Sequence, residues 1–289
     1  ENTQNGRTPC RCCVRAAEVL SRVTGKSFEA DGLIAREQHI CTVLFRERCR
    51  FTAEIGVASA KAYQSPKSGD CFTRFSAENG TVYAVLSDGL GTGERAAAQS
   101  KSCLRLIRLF LEGGLTFAEA AEAVDQLVAA AQDGETVSSG VDALCLDLYG
   151  GTAHFAKRGA APSYYLWGDP PAWREITIAD APLGFHGTGS SPVPVPLERD
   201  STIVLISDGV GDAFTASGGD ENPALLPEFL TGLLQREKKG EKNGKTARAL
   251  SQQILKRAVT LSGEKPKDDM TVAVICVAAI ATAKNKSKR

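Results

Sequence analysis

Two stretches of the chain decide the fold: VYAVLSDGLG at residues 82–91 and TIVLISDGVG at residues 202–211. In each stretch an apolar run of strand length ends in Ser-Asp-Gly, which predicts a buried β-strand that places an aspartate at the rim of the core. The glycine after each aspartate lets its own backbone carbonyl approach whatever the carboxylate holds. One strand ending in Asp-Gly is most often a simple turn, but two near-identical copies indicate a shared chemical role.

Two further acidic segments adjoin predicted strands. Asp268 and Asp269 stand directly before the apolar run TVAVICVAA, and Asp70 begins the strand that precedes the first Ser-Asp-Gly. The three histidines, His39, His154 and His186, are not at metal-ligand spacing from one another, so a metal site here must be built from carboxylates. Carboxylate oxygens are the ligands that hard cations such as Mg²⁺ and Mn²⁺ prefer. The four acidic segments therefore predict a site for one of these cations.

The order of the predicted elements determines the fold class. Helices are predicted over about 94–111, over 116–132 with the capping box Thr116 to Glu119, from Asn222-Pro223 onward, and over 246–261. Strands are predicted at about 51–60, 71–75, 81–86, 141–148, 152–157, 163–167, 173–178, 202–206 and 271–278. Because strands and helices do not alternate one by one, a doubly wound parallel sheet is excluded. We expect an α+β protein: a two-sheet antiparallel β-sandwich flanked by helix pairs on each face.

Composition and charge exclude several classes of function. The chain has 289 residues, 43% of them hydrophobic and 24% charged, which is typical of a globular protein. Its 34 lysines and arginines balance 34 aspartates and glutamates, whereas a nucleic-acid-binding domain normally carries a basic excess. No apolar run approaches the ~20 residues that span a bilayer, and the start shows no signal-peptide pattern. We expect a cytoplasmic chain that binds no nucleic acid and has no membrane span.

The two ends of the chain differ from its middle. Residues 1–50 carry none of the strand-end motifs, residues 51–280 carry all of them, and residues 281–289 form a basic tail that we expect to be disordered. A helix is predicted at about 12–23, next to the cysteine cluster Cys10, Cys12 and Cys13. No second cysteine pair follows at zinc-finger spacing, so we predict that this cluster binds no structural zinc.

The set GDCF (69–72), SDGLGTG (87–93), SDGVGD (207–212) and DDMTVAVI (268–275) resembles the metal-dependent type 2C (PPM) Ser/Thr protein phosphatases, and within them it is most similar to the sporulation branch. The match runs in order from about Phe51 to Ala278. It implies a phosphatase with two Mn²⁺ or Mg²⁺ ions and a phosphorylated protein as substrate, which in the sporulation branch is an anti-sigma-factor antagonist. It also implies that residues 1–50 end a regulatory segment of a membrane-anchored protein.

The resemblance also assigns roles to individual residues. Asp88 would bridge the two metal ions, and Gly89 would lend its backbone carbonyl to one of them. Asp208 and Asp268 would hold the other ion, and Asp70 would serve the first ion directly or through water. These assignments make Asp88, Asp208 and Asp268 the catalytic set, because two divalent ions that share a water lower its pKa and aim it at phosphorus.

Two positions depart from the family pattern. Asp269 stands where many members have asparagine, so Asp268 is the preferred ligand of the pair, and Asp269 is kept as a candidate. The arginine with which eukaryotic members grip the phosphate has no clear match, and Lys67 nearby is expected to be a solvated loop lysine. We also expect Asp142 to mark a strand end rather than a third ion, and Asp212 to cap a turn.

The resemblance further implies that the helix pair after the first Ser-Asp-Gly, about 94–111 and 116–132, shifts and so controls whether the metal site is formed. The linker to this pair contains Gly91 and Gly93, and glycines absorb backbone changes at low cost. A tight turn into a fixed helix is the competing interpretation of the same glycines.

Two other functions stay open at this point. One is a pseudo-phosphatase, a binding module with this fold and a degraded site. The other is a two-metal nucleotidyl or phosphodiester enzyme, which would carry extra lysines and arginines near the aspartates. A cysteine phosphatase is excluded, because the segment from His39 through Cys41 to Arg46 has the wrong spacing and no glycine-rich anion cradle.

Overall fold

The computed structural model describes residues 11–37, 40–77, 80–130, 138–185, 187–216, 225–238 and 246–280. Within these ranges the chain forms twelve strands and six helices. The strands are β1 (Phe28–Glu37), β2 (Ile40–Glu47), β3 (Phe51–Ala60), β4 (Cys71–Ser76), β5 (Val82–Gly89), β6 (Ser139–Asp147), β7 (Thr152–Arg158), β8 (Ser163–Trp167), β9 (Ala172–Ile176), β10 (Val193–Pro196), β11 (Ser201–Ile206) and β12 (Met270–Ala279). The helices are α1 (Arg11–Thr24), α2 (Glu94–Glu112), α3 (Phe117–Ala130), α4 (Asp208–Ala216), α5 (Leu225–Lys238) and α6 (Ala247–Leu261).

Ten of the strands form two five-stranded antiparallel sheets, which pack face to face. The first sheet has the order β10-β7-β6-β5-β4, and the second has the order β3-β12-β11-β8-β9. The main core lies between them and includes Leu86, Leu144, Phe155, Leu205 and Ile275. Successive side chains on a strand point to opposite faces, so apolar residues also line the outer face of each sheet, and those faces must be covered.

Helices cover both outer faces. On the first sheet, Val85 and Val141 pack against Ile107 of α2 and Val124 of α3. On the second sheet, helices α4, α5 and α6 pack over β8, β11 and β12. Each fully buried aliphatic side chain of these layers contributes about 1.5–3 kcal/mol to folding. The predicted α+β sandwich with helices on both faces is confirmed.

The capping box predicted for the start of α3 is confirmed. The backbone N–H and the hydroxyl of Thr116 both donate to Glu119 Oε2 at 2.7 Å, and the Glu119 N–H donates back to Thr116 Oγ1 at 3.3 Å. These bonds lower the pKa of the Glu119 carboxyl. At the start of α6, Thr246 Oγ1 accepts from the Ala249 N–H at 3.2 Å. The predicted cap Asn222-Pro223 and the predicted basic tail lie outside the described residues.

Four elements were not predicted: α4, β10 and the strands β1 and β2. The helix α4 begins directly at Asp208, although its sequence DGVGDAFTA contains two glycines that disfavour a helix. Its apolar residues Val210, Ala213 and Phe214 pack onto the second sheet, and this tertiary contact outweighs the weak propensity. The short strand β10 lies in a segment for which no strand was predicted, and it pairs with β7 at the edge of the first sheet. The strands β1 and β2 pair with each other as a hairpin.

Residues 11–47 form a small unit of their own. The helix α1 confirms the helix predicted at 12–23, and it packs on the hairpin of β1 and β2. The hairpin is a separate two-stranded sheet, and an Arg46–Asp31 ion pair at 2.8 Å bridges its strands. In the part of the chain that the structure describes, no helix is long and apolar enough to span a bilayer.

Candidate metal centre

The aspartates of the two Ser-Asp-Gly motifs reach the same end of the sandwich from different sheets. Strand β5 runs on through Gly89, and Asp88 pairs there with Gly140 of β6. Strand β11 ends at Ile206, and Asp208 is the first residue of α4. The chain therefore stays extended through the first motif and turns into a helix at the second, although the two motifs are nearly identical in sequence.

Strand pairing brings the other two acidic segments to this end. Asp70 stands one residue before β4, whose first residue pairs with Ser87, and it therefore lies beside Asp88. On the second sheet the Ser207 N–H donates to the Thr271 carbonyl at 3.0 Å, which places residues 268–269 next to the start of α4. The result is a group of mutually interacting carboxylates that we call the acidic cluster: Asp70, Asp88, Asp208 and Asp268.

Asp88 is the electrostatic centre of the acidic cluster. Burial is the largest cause that raises the pKa of its carboxyl, and repulsion from Asp70 and Asp208 raises it further, to about 9. A carboxyl whose pKa lies this far above its usual range is held in a position where a negative charge is unfavourable. A cation at this position would reverse that preference.

Asp70 is half-buried as a residue, but its carboxylate is shielded from solvent. Burial raises its pKa to about 6, Asp269 adds repulsion, and the nearby hydroxyls of Thr271 and Ser207 lower the pKa in part. Neither carboxylate oxygen of Asp70 has a hydrogen bond of good geometry, and both are shielded from solvent. Buried polar atoms are normally paired, so these two oxygens are free to bind a ligand at the centre of the cluster.

Asp268 and Asp269 are adjacent in sequence but have different surroundings. Asp269 is 2% exposed, and its two carboxylate oxygens accept from the backbone N–H of Ala62 at 2.7 Å and of Gly69 at 2.6 Å. Asp268 is only half-buried, and its Oδ1 accepts the N–H of Asp269 at 2.8 Å. Burial and repulsion from Asp208 raise the pKa of Asp268. The structure therefore places Asp268 in the acidic cluster, whereas Asp269 binds both ends of the loop 62–69 that leads into Asp70.

Serine hydroxyls support the backbone around the cluster. Ser207 Oγ accepts from the Thr271 N–H at 2.8 Å and donates to the Asp269 carbonyl at 3.3 Å. Ser139 Oγ donates to the Asp88 carbonyl at 2.7 Å and lies 2.6 Å from Ser87 Oγ. No motif in the sequence indicated Ser139, because its role arises only from the pairing of β5 with β6.

Close packing explains the glycine of each motif. A side chain at Gly89 would place its Cβ 2.4 Å from the Ala96 carbonyl oxygen and 2.6 Å from Ser100 Oγ. A Cβ at Gly209 would lie 2.3 Å from the Asp269 carbonyl oxygen. Real Cβ atoms do not approach this closely, so any larger residue would push the neighbouring chain away from the acidic cluster.

The donor set of the cluster fits a hard divalent cation. It offers carboxylate oxygens from both sheets, including the two unpaired buried oxygens of Asp70, and hard cations bind such oxygens. None of the ion pairs formed by the described residues involves a member of the cluster. Among the described residues, however, no three His, Cys, Asp or Glu side chains are already spaced as a closed ligand cage. The arrangement is an open cluster that a cation would draw together.

Several other residues singled out from the sequence can be placed. Lys67 is exposed on the loop, as expected of a solvated lysine. Asp212 was expected to cap a turn, but it lies within the helix α4 and is exposed there. Asp142 was expected at a strand end, but it lies inside β6 and is 1% exposed. Its carboxylate binds the ammonium of Lys157 at 2.6 Å. Cys12 is exposed and Cys13 buried, whereas Cys10, His39 and His186 lie outside the described residues.

A cavity adjoins the acidic cluster. It has a volume of about 460 Å³, and Asp268 and Lys267 form one wall, with Ala213, Leu261 and Met270 among its apolar lining. A larger cavity of about 570 Å³ lies by Thr202 and Cys276 on the second sheet. Cys276 is six residues along β12 from Met270, which is roughly 20 Å at the usual rise of a strand. The larger cavity is therefore remote from the carboxylates.

Solved structures share this architecture. The PP2C phosphatase domain with a fragment of the regulatory domain of SpoIIE from Bacillus subtilis superposes with a TM-score of 0.70 at 22% identity, over 93% of this chain and 76% of that one. The catalytic domain of the serine/threonine protein phosphatase PstP, in complex with two manganese ions, superposes with a TM-score of 0.56 at 15% identity, over 79% of this chain and 99% of that one. The fold is that of the PP2C-type protein phosphatases.

Sequence comparison narrows this class. The family model described as stage II sporulation protein E (SpoIIE) matches residues 78–278, and the chain belongs to this family. The stage II sporulation protein E of Priestia megaterium is 25% identical over 273 residues, which cover 93% of this chain and 44% of that protein. The chain thus spans less than half the length of this relative.

Proposed function

We propose that residues 51–280 form a metal-dependent protein serine/threonine phosphatase domain. The observation that carries the proposal is the acidic cluster, in which carboxylates from both sheets meet at one end of a PP2C-type sandwich, with two buried oxygens unpaired. Two Mn²⁺ or Mg²⁺ ions would be held by Asp70, Asp88, the Gly89 carbonyl, Asp208 and Asp268. We assign Asp269 a supporting role, because both of its oxygens already accept backbone N–H groups.

The chain itself contributes position and charge. Two divalent ions held by these residues would activate a water for in-line attack on phosphorus and would balance the charge of the phosphoryl oxygens. Asp88 is repelled by both Asp70 and Asp208, so it lies close to each of them. A carboxylate in this central position would serve both ions. Asp269 holds the loop before Asp70, and Ser207 holds the turn before Asp208. With this arrangement no nucleophilic side chain is required.

The substrate that we propose is a phosphorylated anti-sigma-factor antagonist, and the support for it is membership of the SpoIIE family. On the same basis we propose that residues 1–50 end a regulatory segment and that the domain acts in the cytoplasm as part of a membrane-anchored protein. The neutral overall charge, with 34 basic and 34 acidic residues, suits a protein substrate better than a nucleic acid.

A phosphatase assay tests the proposal. The purified chain should release phosphate from phosphoserine and phosphothreonine peptides when Mn²⁺ is added and should stop when EDTA is added. Asp88→Asn should remove the activity. Asp200→Asn is the matched control, because Asp200 lies just before the opposite end of β11 and has a φ of 56° that asparagine tolerates. Metal-independent turnover, or equal loss in both variants, would contradict the assignment.

One observation favours a second candidate, a pseudo-phosphatase that binds partners without hydrolysis. Among the described residues the carboxylates do not form a closed ligand cage, and a degraded site would stay open when Mn²⁺ is added. Titration calorimetry separates the two candidates, because an active site should bind Mn²⁺ through the acidic cluster and lose this binding in Asp208→Asn.

A further inference from the structure

A lysine is buried between the two sheets, below the acidic cluster. Lys157 of β7 faces Asp142 of β6, and their side chains are 0% and 1% exposed. The Lys157 ammonium donates to Asp142 Oδ2 at 2.6 Å and to the Ala161 carbonyl and Ser163 Oγ at 2.7 Å each. An ammonium has three donors, so its hydrogen-bonding capacity is fully used. We call these four residues the buried lysine network.

The network connects the two sheets. Asp142 and Lys157 belong to the first sheet, whereas Ser163 is the first residue of β8 in the second sheet. The Ser163 hydroxyl also donates to Asp142 Oδ2. Ser163 of the second sheet therefore contacts both the carboxylate of Asp142 and the ammonium of Lys157 in the first sheet. Replacing a buried ion pair by apolar side chains is often neutral or stabilising. Stability alone therefore does not account for a lysine at this position.

The network lies next to the strand that carries Asp88 and to the strand that leads into Asp208. On β6, Asp142 pairs with Leu86 and Gly140 pairs with Asp88. Alternate residues share a face, so Asp142 lies on the same face as Asp88, about 7 Å along the strand. In the second sheet, β8 pairs with β11, the strand that leads into Asp208. The network thus joins the neighbourhood of Asp88 to the neighbourhood of Asp208.

We propose that Lys157 is a positioning residue for the metal centre. Its ammonium holds the two sheets at the separation that Asp88 and Asp208 need in order to bind the same pair of metal ions. The inference rests on the proposed function, and it concerns a residue that is not one of the proposed metal ligands. The next residue, Arg158, has different contacts. It points to the outer face of the first sheet and pairs with Asp125 of α3 at 2.9 Å.

The test is a double variant, Lys157→Met with Asp142→Val, because either single change would leave a buried charge unpaired. The matched control is Leu146→Ala, a fully buried core position further along β6. Mn²⁺ affinity is measured by titration calorimetry and stability by thermal denaturation without metal. We expect the double variant to melt close to the wild type and to bind Mn²⁺ at least about tenfold more weakly, the lower end of the loss seen for supporting residues. Leu146→Ala should melt lower and bind Mn²⁺ normally.

A double variant with wild-type Mn²⁺ affinity would overturn the inference. Ser163→Ala provides a second test, because it keeps the ion pair and removes the hydroxyl that reaches it from the second sheet. It should also weaken Mn²⁺ binding, and if the double variant does not fold, unchanged affinity in Ser163→Ala refutes the role of Lys157. If the wild-type chain itself binds no Mn²⁺, it is the proposed function that fails, so the two failures are distinguishable.

Discussion

Replacing Asp269 by asparagine should destabilise the loop 62–69 rather than remove a metal ligand. The Asp269 carboxylate accepts the N–H of Ala62 at 2.7 Å and of Gly69 at 2.6 Å. Asparagine has one acceptor oxygen, so one of these two N–H groups would face an NH₂ group and stay unpaired. A buried N–H that loses its partner costs about 1–3 kcal/mol, and the remaining bond loses its charge assistance.

The expected loss of stability is therefore about 2–3 kcal/mol. For a domain of this size 1 kcal/mol corresponds to about 2–4 °C, so Asp269→Asn should lower the melting temperature by roughly 4–12 °C. Thermal denaturation of the metal-free protein measures this change. The reduced repulsion of Asp70 acts in the opposite direction, but it does not replace the lost hydrogen bond.

Asp268→Asn is the matched control for this prediction. The Asp268 carboxylate accepts only the N–H of its own neighbour at 2.8 Å, and burial, with repulsion from Asp208, raises its pKa. Its removal should leave the metal-free melting temperature unchanged or higher and should abolish Mn²⁺ binding. The reasoning is refuted if the two variants exchange these results, with Asp269→Asn folding normally and failing to bind Mn²⁺.

Three further predictions follow from individual contacts. Asp88→Asn and Asp208→Asn should each lower Mn²⁺-dependent phosphatase activity by more than about a hundredfold, which is the upper limit for supporting residues. Asp88→Asn should also raise the melting temperature of the metal-free protein, because it removes a carboxyl that is shielded from solvent and repelled by its neighbours. Wild-type turnover of either variant at saturating Mn²⁺ would contradict the assignment. Gly93 has φ 88° and ψ −161°, a region that only glycine adopts freely. Gly93→Ala should therefore lower the free energy of unfolding by about 1–3 kcal/mol in urea denaturation. Unchanged stability would mean that the backbone at Gly93 adopts another conformation. Arg158→Met leaves Asp125 without its buried ion pair and should cost about 3–5 kcal/mol in the same assay, whereas a loss below 1 kcal/mol would show that the pair is dispensable.

The Gly93 geometry also changes how the proposed helix shift can be tested. The sequence alone makes Gly93→Ala a probe of movement between the acidic cluster and α2. The positive φ shows that alanine is strained there even if the helix never moves, so a changed Mn²⁺ requirement would not by itself indicate a shift. The space around a Cβ is open, with Ser65 Oγ at 3.7 Å as its nearest neighbour. The expected effect therefore arises from the backbone and not from a clash.

Local patterns predicted most of the sandwich. The strands β5 and β11 are apolar runs that lead into Ser-Asp-Gly, and β12 is an apolar run that follows Asp268 and Asp269, so each strand adjoins its aspartate in the sequence. The helix α4 was missed, because its packing against the second sheet outweighs the low propensity of its glycines. Asp142 was expected at a strand end and lies inside β6, since the strand begins at Ser139 rather than Val141.

The pair Asp268-Asp269 shows why the rest required the structure. The sequence presents two identical side chains before a strand, and either of them could be a ligand. Both residues lie just before β12, where the chain is not yet a strand; there the carboxylate of Asp268 enters the acidic cluster and that of Asp269 reaches the loop 62–69. The loop that binds Asp269 lies about 200 residues earlier in the chain, as the separation of Gly69 from Asp269 shows. The sequence around the pair therefore does not show which aspartate faces the cluster. The role of Lys157 also required the structure. The residues next to it in the sequence do not indicate that its ammonium lies buried between the two sheets, below the carboxylates.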